Sequence, residues 1–317
     1  MAVITVTPAD DITTVINTIA NPGDVILVGD GIYNQSVLVT KDNIRIIANG
    51  TGAVFDGANT LMEGFQLQET TGVEINGFII INYVQSGIYV NGGRFNRILG
   101  NRVISSGFIG IELSGTTGNL VWRNEVSRND GDGILAIDAS TGNWIIENIA
   151  NNNETDGLET FLTQDTGNVL ASNRSTGNQD GFEIFGTNLM LGNTAVENAA
   201  DGAFTQAFGL VCVGNRLNSN NGDGIQVSQG NSILLDNEIS NNQSAGIRVF
   251  ANFHILEGNE FEGNDIGILI DATGGSNLII RNEALGNRIF DIQDDGTDNN
   301  FVQNECCSSS PPGLCGD

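Results

Sequence analysis

Five aspartates stand immediately before a glycine at one recurring offset: Asp132, Asp156, Asp180, Asp201 and Asp223, in "NDGDGIL", "NETDGLE", "GNQDGFE", "NAADGAF" and "NNGDGIQ". Three residues after two of them come Glu159 and Glu183. Carboxylates repeated this way form a set of hard oxygen donors suited to Ca²⁺. Without a cation, like charges one strand apart repel and raise one another's pKa, which is how a protein prepares an acid–base group. Asp156, Glu159, Asp180, Glu183 and Asp201 are therefore the expected metal ligands. The plainer alternative is that each aspartate is a turn residue bonding its own backbone ahead of glycine.

Beside this block Arg248 is the one base in the same outward columns, and it suits a carboxylate clamp or a catalytic base. If the chain is an enzyme, Arg248, Glu183 and Glu159 are the expected catalytic residues. An apolar strip of Ile137, Phe161, Phe185, Phe204 and Phe250 runs along the same offsets. Exposed aromatics of this kind make sugar-stacking platforms or protein contacts, so Phe161, Phe185, Phe204 and Phe250 are the expected ligand-binding residues. A loop folded over them is the competing reading. His254, the sole histidine, stands in a column otherwise rich in asparagine and reads as a substituted structural residue.

What must position these groups is a repeat. Asparagine recurs at Asn101, Asn124, Asn148, Asn173, Asn193, Asn215, Asn237, Asn259, Asn282 and Asn304, at intervals of 20 to 25 residues. Parallel columns lie five residues before and after, such as Asn188 and Asn198 around Asn193. Between them apolar residues alternate with period two, the strand signature; Ile98, Val103 and Ile111 are one set. Three short strands per repeat, stacked coil on coil, make a parallel β-helix. The asparagines then pile up as amide ladders, in corners where asparagine also tolerates a left-handed backbone.

The pattern "xN–x₄–N–x₂–DGI–x–V" resembles the repeats of the right-handed parallel β-helix superfamily, the pectin-lyase-like proteins. The opening "TPADDITTVINTIANPGDVILVGDGIYNQSV" is similar to that family's start, an amphipathic helix followed by a first strand. The helix also follows from spacing: Ile12, Val15, Ile16 and Ile19 fall on one face, with Thr7 and Asp10 around Pro8 as its capping start. The expected fold is all-β, a single-stranded right-handed parallel β-helix of about 10–12 coils with an N-terminal capping α-helix. Its expected divisions are a cap at 1–24, the β-helix at 25–305, and a cysteine-rich cap at 306–317.

The superfamily includes lyases, hydrolases, epimerases and non-enzymatic surface proteins. The polygalacturonase pattern of paired aspartates with Gly-His-Gly and Arg-Ile-Lys is absent, as is the Asp-Pro-His-Asp signature of mannuronan epimerases. The expected function is an extracellular or cell-surface β-helix, non-catalytic, that binds polysaccharide or a surface protein. The alternative is a Ca²⁺-dependent lyase or epimerase acting on uronate polymers.

A formal net charge of −26 opposes binding to phosphate backbones and anionic membrane surfaces. No run of eighteen apolar residues is present, so no helical membrane insertion is expected. No secretory signal is read at the start, and a cytoplasmic location stays open. In the tail "ECCSSSPPGLCGD", one bridge from Cys306 or Cys307 to Cys315 is expected, which leaves a thiol able to link two chains. Cys212 falls in an inward column and reads as a buried thiol.

Overall fold

The computed structural model describes residues 1–316. Each coil passes through three short strands, and successive coils stack these into three parallel sheets, here A, B and C in the order the chain visits them. About thirteen coils form. Early coils add to the count because strands such as Val25–Val28 and Arg45–Ala48 keep the apolar pattern without the asparagine columns. The chain divides into two compact units, Met1–Leu158 with Gln164–Asn168, and Glu159–Thr163 with Val169–Asp317.

In the first unit, Val3–Val6 pairs in parallel with Val25–Val28. The cap between them spans the expected Ile12–Ile19, with a change of turn type: an α-turn at Ile12–Thr14 runs into a π-helical turn at Val15–Ile19. Ile12, Val15 and Ile16 are buried, but Ile19 is 60% exposed, because the wider π-turn rotates it off the apolar face. The N-cap is Asp11, which accepts the Thr14 N–H at 3.2 Å. Thr7 and Asp10 close a separate preceding turn instead. Tyr33, Phe55, Phe65 and Phe78 fill the core beneath as a contiguous aromatic cluster, with ring centroids 4.6–5.3 Å apart.

In the second unit the ladder is regular. Asn215 Oδ1 accepts the backbone N–H of Asn193 at 2.8 Å and its Nδ2 at 3.0 Å. Asn215 in turn donates both groups to Asn237 Oδ1, at 2.9 and 3.0 Å. Each amide thus satisfies backbone at a corner where no sheet bond is available. The expected left-handed backbone belongs to the preceding residue, as at Gly192, Gly214 and Asp236, rather than to the ladder asparagine. His254 is a ladder member: its Nδ1 accepts the Ser232 N–H at 3.2 Å, and its own N–H donates to Asn277.

The three sheets differ outside. Sheet B carries Glu238, Glu260, Glu283 and Glu305 in direct register. In the second unit sheet A is largely apolar outside as well: Val169–Ala171, Leu189–Leu191, Val211–Val213, Ile233–Leu235, Ile255–Glu257 and Leu278–Ile280 each bury the middle residue and leave the flanking pair partly exposed, save buried Ala171. In the first unit the outward column instead carries Arg45, Glu74 and Arg97. Sheet C carries the acid, arginine and phenylalanine columns.

At the far end Cys306 bridges Cys315, Cys307 is a free exposed thiol, and Cys212 is free and buried. The Asp291 carboxylate, itself 2% exposed, accepts from Cys307 N, Ser308 N, Ser308 Oγ, and both Asn287 donors, at 3.0–3.1 Å.

Candidate functional site

Sheet C of the second unit aligns Glu183, Phe204, Gln226, Arg248 and Leu269 in one outward column, one residue per coil. Two residues on, Phe185 pairs with Gln206 in a second column. Alternation fixes this: Phe182, Ala203, Ile225 and Ile247 point inward and are fully buried, so their neighbours must face out.

The aspartates at the strand starts are coupled through backbone. Asp180 Oδ1 accepts the Asp201 N–H at 2.6 Å, and Asp223 Oδ1 accepts the Ala245 N–H at 2.8 Å. Asp201 repeats the bond to Asp223. In the first unit Asp132 accepts the Asp156 N–H at 3.0 Å and the Thr155 hydroxyl. The aspartates therefore bond the next coil rather than their own turn. The glycines that follow are needed for close stacking: a Cβ on Gly202 would stand 2.5 Å from the Gly224 carbonyl oxygen.

Stacking these carboxylates has an electrostatic consequence. Burial, then the neighbouring Asp223 and Asp180, push the Asp201 carboxyl up to about 7, with the Asp223 N–H and the Arg248 charge pulling the other way. Asp180 is raised too, chiefly by burial with Glu183 adding to it. Arg248 stacks its guanidinium 4.8 Å from the Phe250 ring centroid and reaches Asp271 at 3.3 Å, while its Nε finds no partner among the described residues.

Alongside lies a groove of about 300 Å³ lined by Thr163, Phe185, Gly186, Thr187, Gln206, Phe208 and Gln229. Phe161 is 46% exposed, its ring 6.2 Å from that of Phe185, and Phe208 is 62% exposed. Phe204 and Phe250 are partly exposed in the strand columns. Phe208 and Gln229 went unassigned in the sequence because turn residues carry no periodic signal; Gln206 stands in the Phe185 column but was not singled out.

In the first unit, one oxygen each from Asp132 and Asp156, both buried, lies within 4.8 Å of the other. Carboxylates so placed are compatible with Ca²⁺ or another hard cation. Asp156 is one of the expected ligands; Asp132 belongs to the same aspartate column and joins it.

A family profile described as "Right handed beta helix region" matches residues 63–209, and one described as "Periplasmic copper-binding protein (NosD)" matches residues 156–306. The chain is a right-handed parallel β-helix. The A-module of the Azotobacter vinelandii mannuronan C-5 epimerase AlgE6 is similar to it with TM-score 0.77 and 16% identity, covering 95% of each chain. The periplasmic alginate epimerase AlgG gives 0.63 and 15%, covering 95% of this chain and 83% of that one. Pectate lyase Pel9A gives 0.59 and 15%, covering 100% and 82%. No curated protein matches.

This β-helix offers copper a poor site. Copper favours imidazole, thiolate and thioether donors, yet between residues 156 and 306 His254, Cys212 and Met190 are all buried in the core and Cys306 is in a disulfide. No helix is long and apolar enough to cross a membrane.

Proposed function

We propose that the outward face of sheet C in the second unit processes an acidic, uronate-type polysaccharide. Arg248 holds the substrate carboxylate and Asp201 exchanges the proton on the adjacent carbon. The observation that carries this reading is a carboxyl poised at about 7 on the same face as the Arg248 guanidinium, whose charge acts on it. A proton α to a carboxylate is removed only when the developing charge is neutralised, which a fixed cation supplies. A base titrating near the working pH serves best for the transfer. The proton passes to Asp201 and the electron pair enters the carboxyl group held by Arg248. Expelling the glycosidic oxygen then leaves a double bond; returning a proton from the opposite side gives the epimer. Glu183 stands in the same outward column as Arg248, and Ca²⁺ on Asp132 and Asp156 adds positive charge to a strongly acidic molecule. The epimerase and lyase titles among the structural neighbours agree with this substrate class.

A second reading, polysaccharide binding without turnover, is favoured by the Phe185–Phe208 groove, where aromatic faces alternate with the Gln206 and Gln229 amides. Both readings fit an oxidising location outside the cytoplasm, given the Cys306–Cys315 bridge. There the Cys307 thiol is free to link two chains or a chain to a surface protein.

The test is incubation with uronate polymers with and without Ca²⁺, following unsaturated product and solvent deuterium incorporation. Product or deuterium that disappears in Arg248→Lys and Asp201→Asn is expected. Absence of both signals, with oligouronate binding still lost in Phe185→Ala, would leave the binding reading in its place.

A further inference from the structure

Sheet A of the second unit has a covering face that no ligand reading uses. We propose that this face binds a second copy of the chain, A sheet against A sheet. A strand with water on one side alternates apolar and polar residues, whereas one covered on both sides is apolar throughout. Of six consecutive A strands, from Val169–Ala171 to Leu278–Ile280, five are of the second kind and Ile255–Glu257 departs from it only at Glu257. Their outward columns put Val211 beside Ile233, and Val213 beside Leu235, in exact register at the centre. All four are partly exposed.

The single charge in those columns, Glu257, is ion-paired with Arg281. The acids stand elsewhere, on sheet B at Glu238, Glu260 and Glu283 and on sheet C. A basic partner drawn by a net charge of −26 would find no unpaired carboxylate in the strand columns, exposed Asp236 standing in the bordering turn. A neutral, flat, self-complementary surface instead suits a two-fold contact with its own copy, as two sheets pack about 10 Å apart.

The area agrees. Six strands at ~4.8 Å spacing give a face ~29 Å long. With its bordering turns, where Phe253 is 61% exposed, it is ~20 Å wide, hence on the order of 600 Å² per copy and ~1,200 Å² for the pair, the lower range of specific interfaces. The contact leaves sheet C uncovered, so it is independent of the polysaccharide reading.

Sedimentation velocity of the full chain carrying Cys307→Ser, which removes thiol linkage, tests this over a concentration series. A reversible dimer is expected, unchanged by reductant and no weaker at high salt, since salt screens repulsion between acidic copies. Ile233→Lys and Leu235→Lys, each outward and each checked by circular dichroism, are expected to weaken it at least about 100-fold, as loss of a central apolar contact does. A monomer at every concentration would overturn the proposal. So would a dimer that survives both folded variants. If neither variant folds, the salt series on the Cys307→Ser chain decides: a dimer that falls apart as salt rises is held by charge, and the apolar contact is refuted.

Discussion

The Asp201 carboxylate accepts the backbone N–H of Asp223, one coil on, at 2.7 Å. One oxygen is thus tied into the scaffold while the group keeps a proton that an ordinary aspartate has lost by pH 5. Because the folded pKa is raised above the unfolded one, this group's contribution to stability is full below about pH 4. It is lost as pH rises to about 7.

Asp201→Asn keeps the acceptor for Asp223 and removes the charge. The expected result is a higher Tm at pH 8 than the parent, by a gain on the order of 1 kcal/mol, and no difference at pH 4. Turnover of a uronate polymer should fall at least about 100-fold in the same variant. Thermal melts at both pH values, paired with the activity assay, separate the two roles.

Asn215→Ala removes the acceptor of two Asn193 donors and takes from Asn237 Oδ1 one of its two Asn215 donors, the side-chain amide. With both flanking groups buried, a loss of ~2–4 kcal/mol is expected from unsatisfied donors and the gap. Urea denaturation measures it; a change under ~0.5 kcal/mol would mean that the ladder is decorative.

Asp291→Ala should release the tail. Five donors lose one carboxylate, and burial opposed by these hydrogen bonds holds that carboxyl below the usual range. In contrast to Asp201, its stabilisation is present above about pH 4 and lost as pH falls through the lowered value. The Cys306–Cys315 bridge should then reduce faster at neutral pH, at least several-fold, read by thiol labelling under a fixed reductant concentration.

Ca²⁺ should raise the Tm, and chelation should reverse the rise, by mass action on the folded state. Asp132→Asn with Asp156→Asn should abolish that increment while Asp180→Asn leaves it. An increment untouched by the first pair would move the cation elsewhere.

The coil, the three ladders, the inward apolar columns and the alignment of Glu183, Phe204 and Arg248 were legible because a repeat of about 22 residues converts sequence offset into position in space. Where a residue leaves the repeat, legibility fails. Asp11 as helix cap and the rotation of Ile19 depend on a local π-turn that spacing does not encode. Asp291 takes a place in the glycine column, in register with Gly267, where an aspartate follows no repeat, so its hold on Cys307 and Ser308 was invisible. The A-sheet face had a signal that went unread: triplets such as Val211–Val213 and Ile233–Leu235 are apolar throughout, and only their middle residues were assigned.

Asn193, Asn215 and Asn237 each donate a backbone N–H to the Oδ1 of the asparagine 22 residues on. Any one circuit in this stretch is therefore interchangeable with the next as a unit of length. Excising 22 residues would let the severed ends rejoin in phase, whereas excising eleven would set strand against corner. A gene built this way lengthens or shortens by unequal recombination without redesigning its interior, and the reach of its binding face along a polymer becomes a heritable variable.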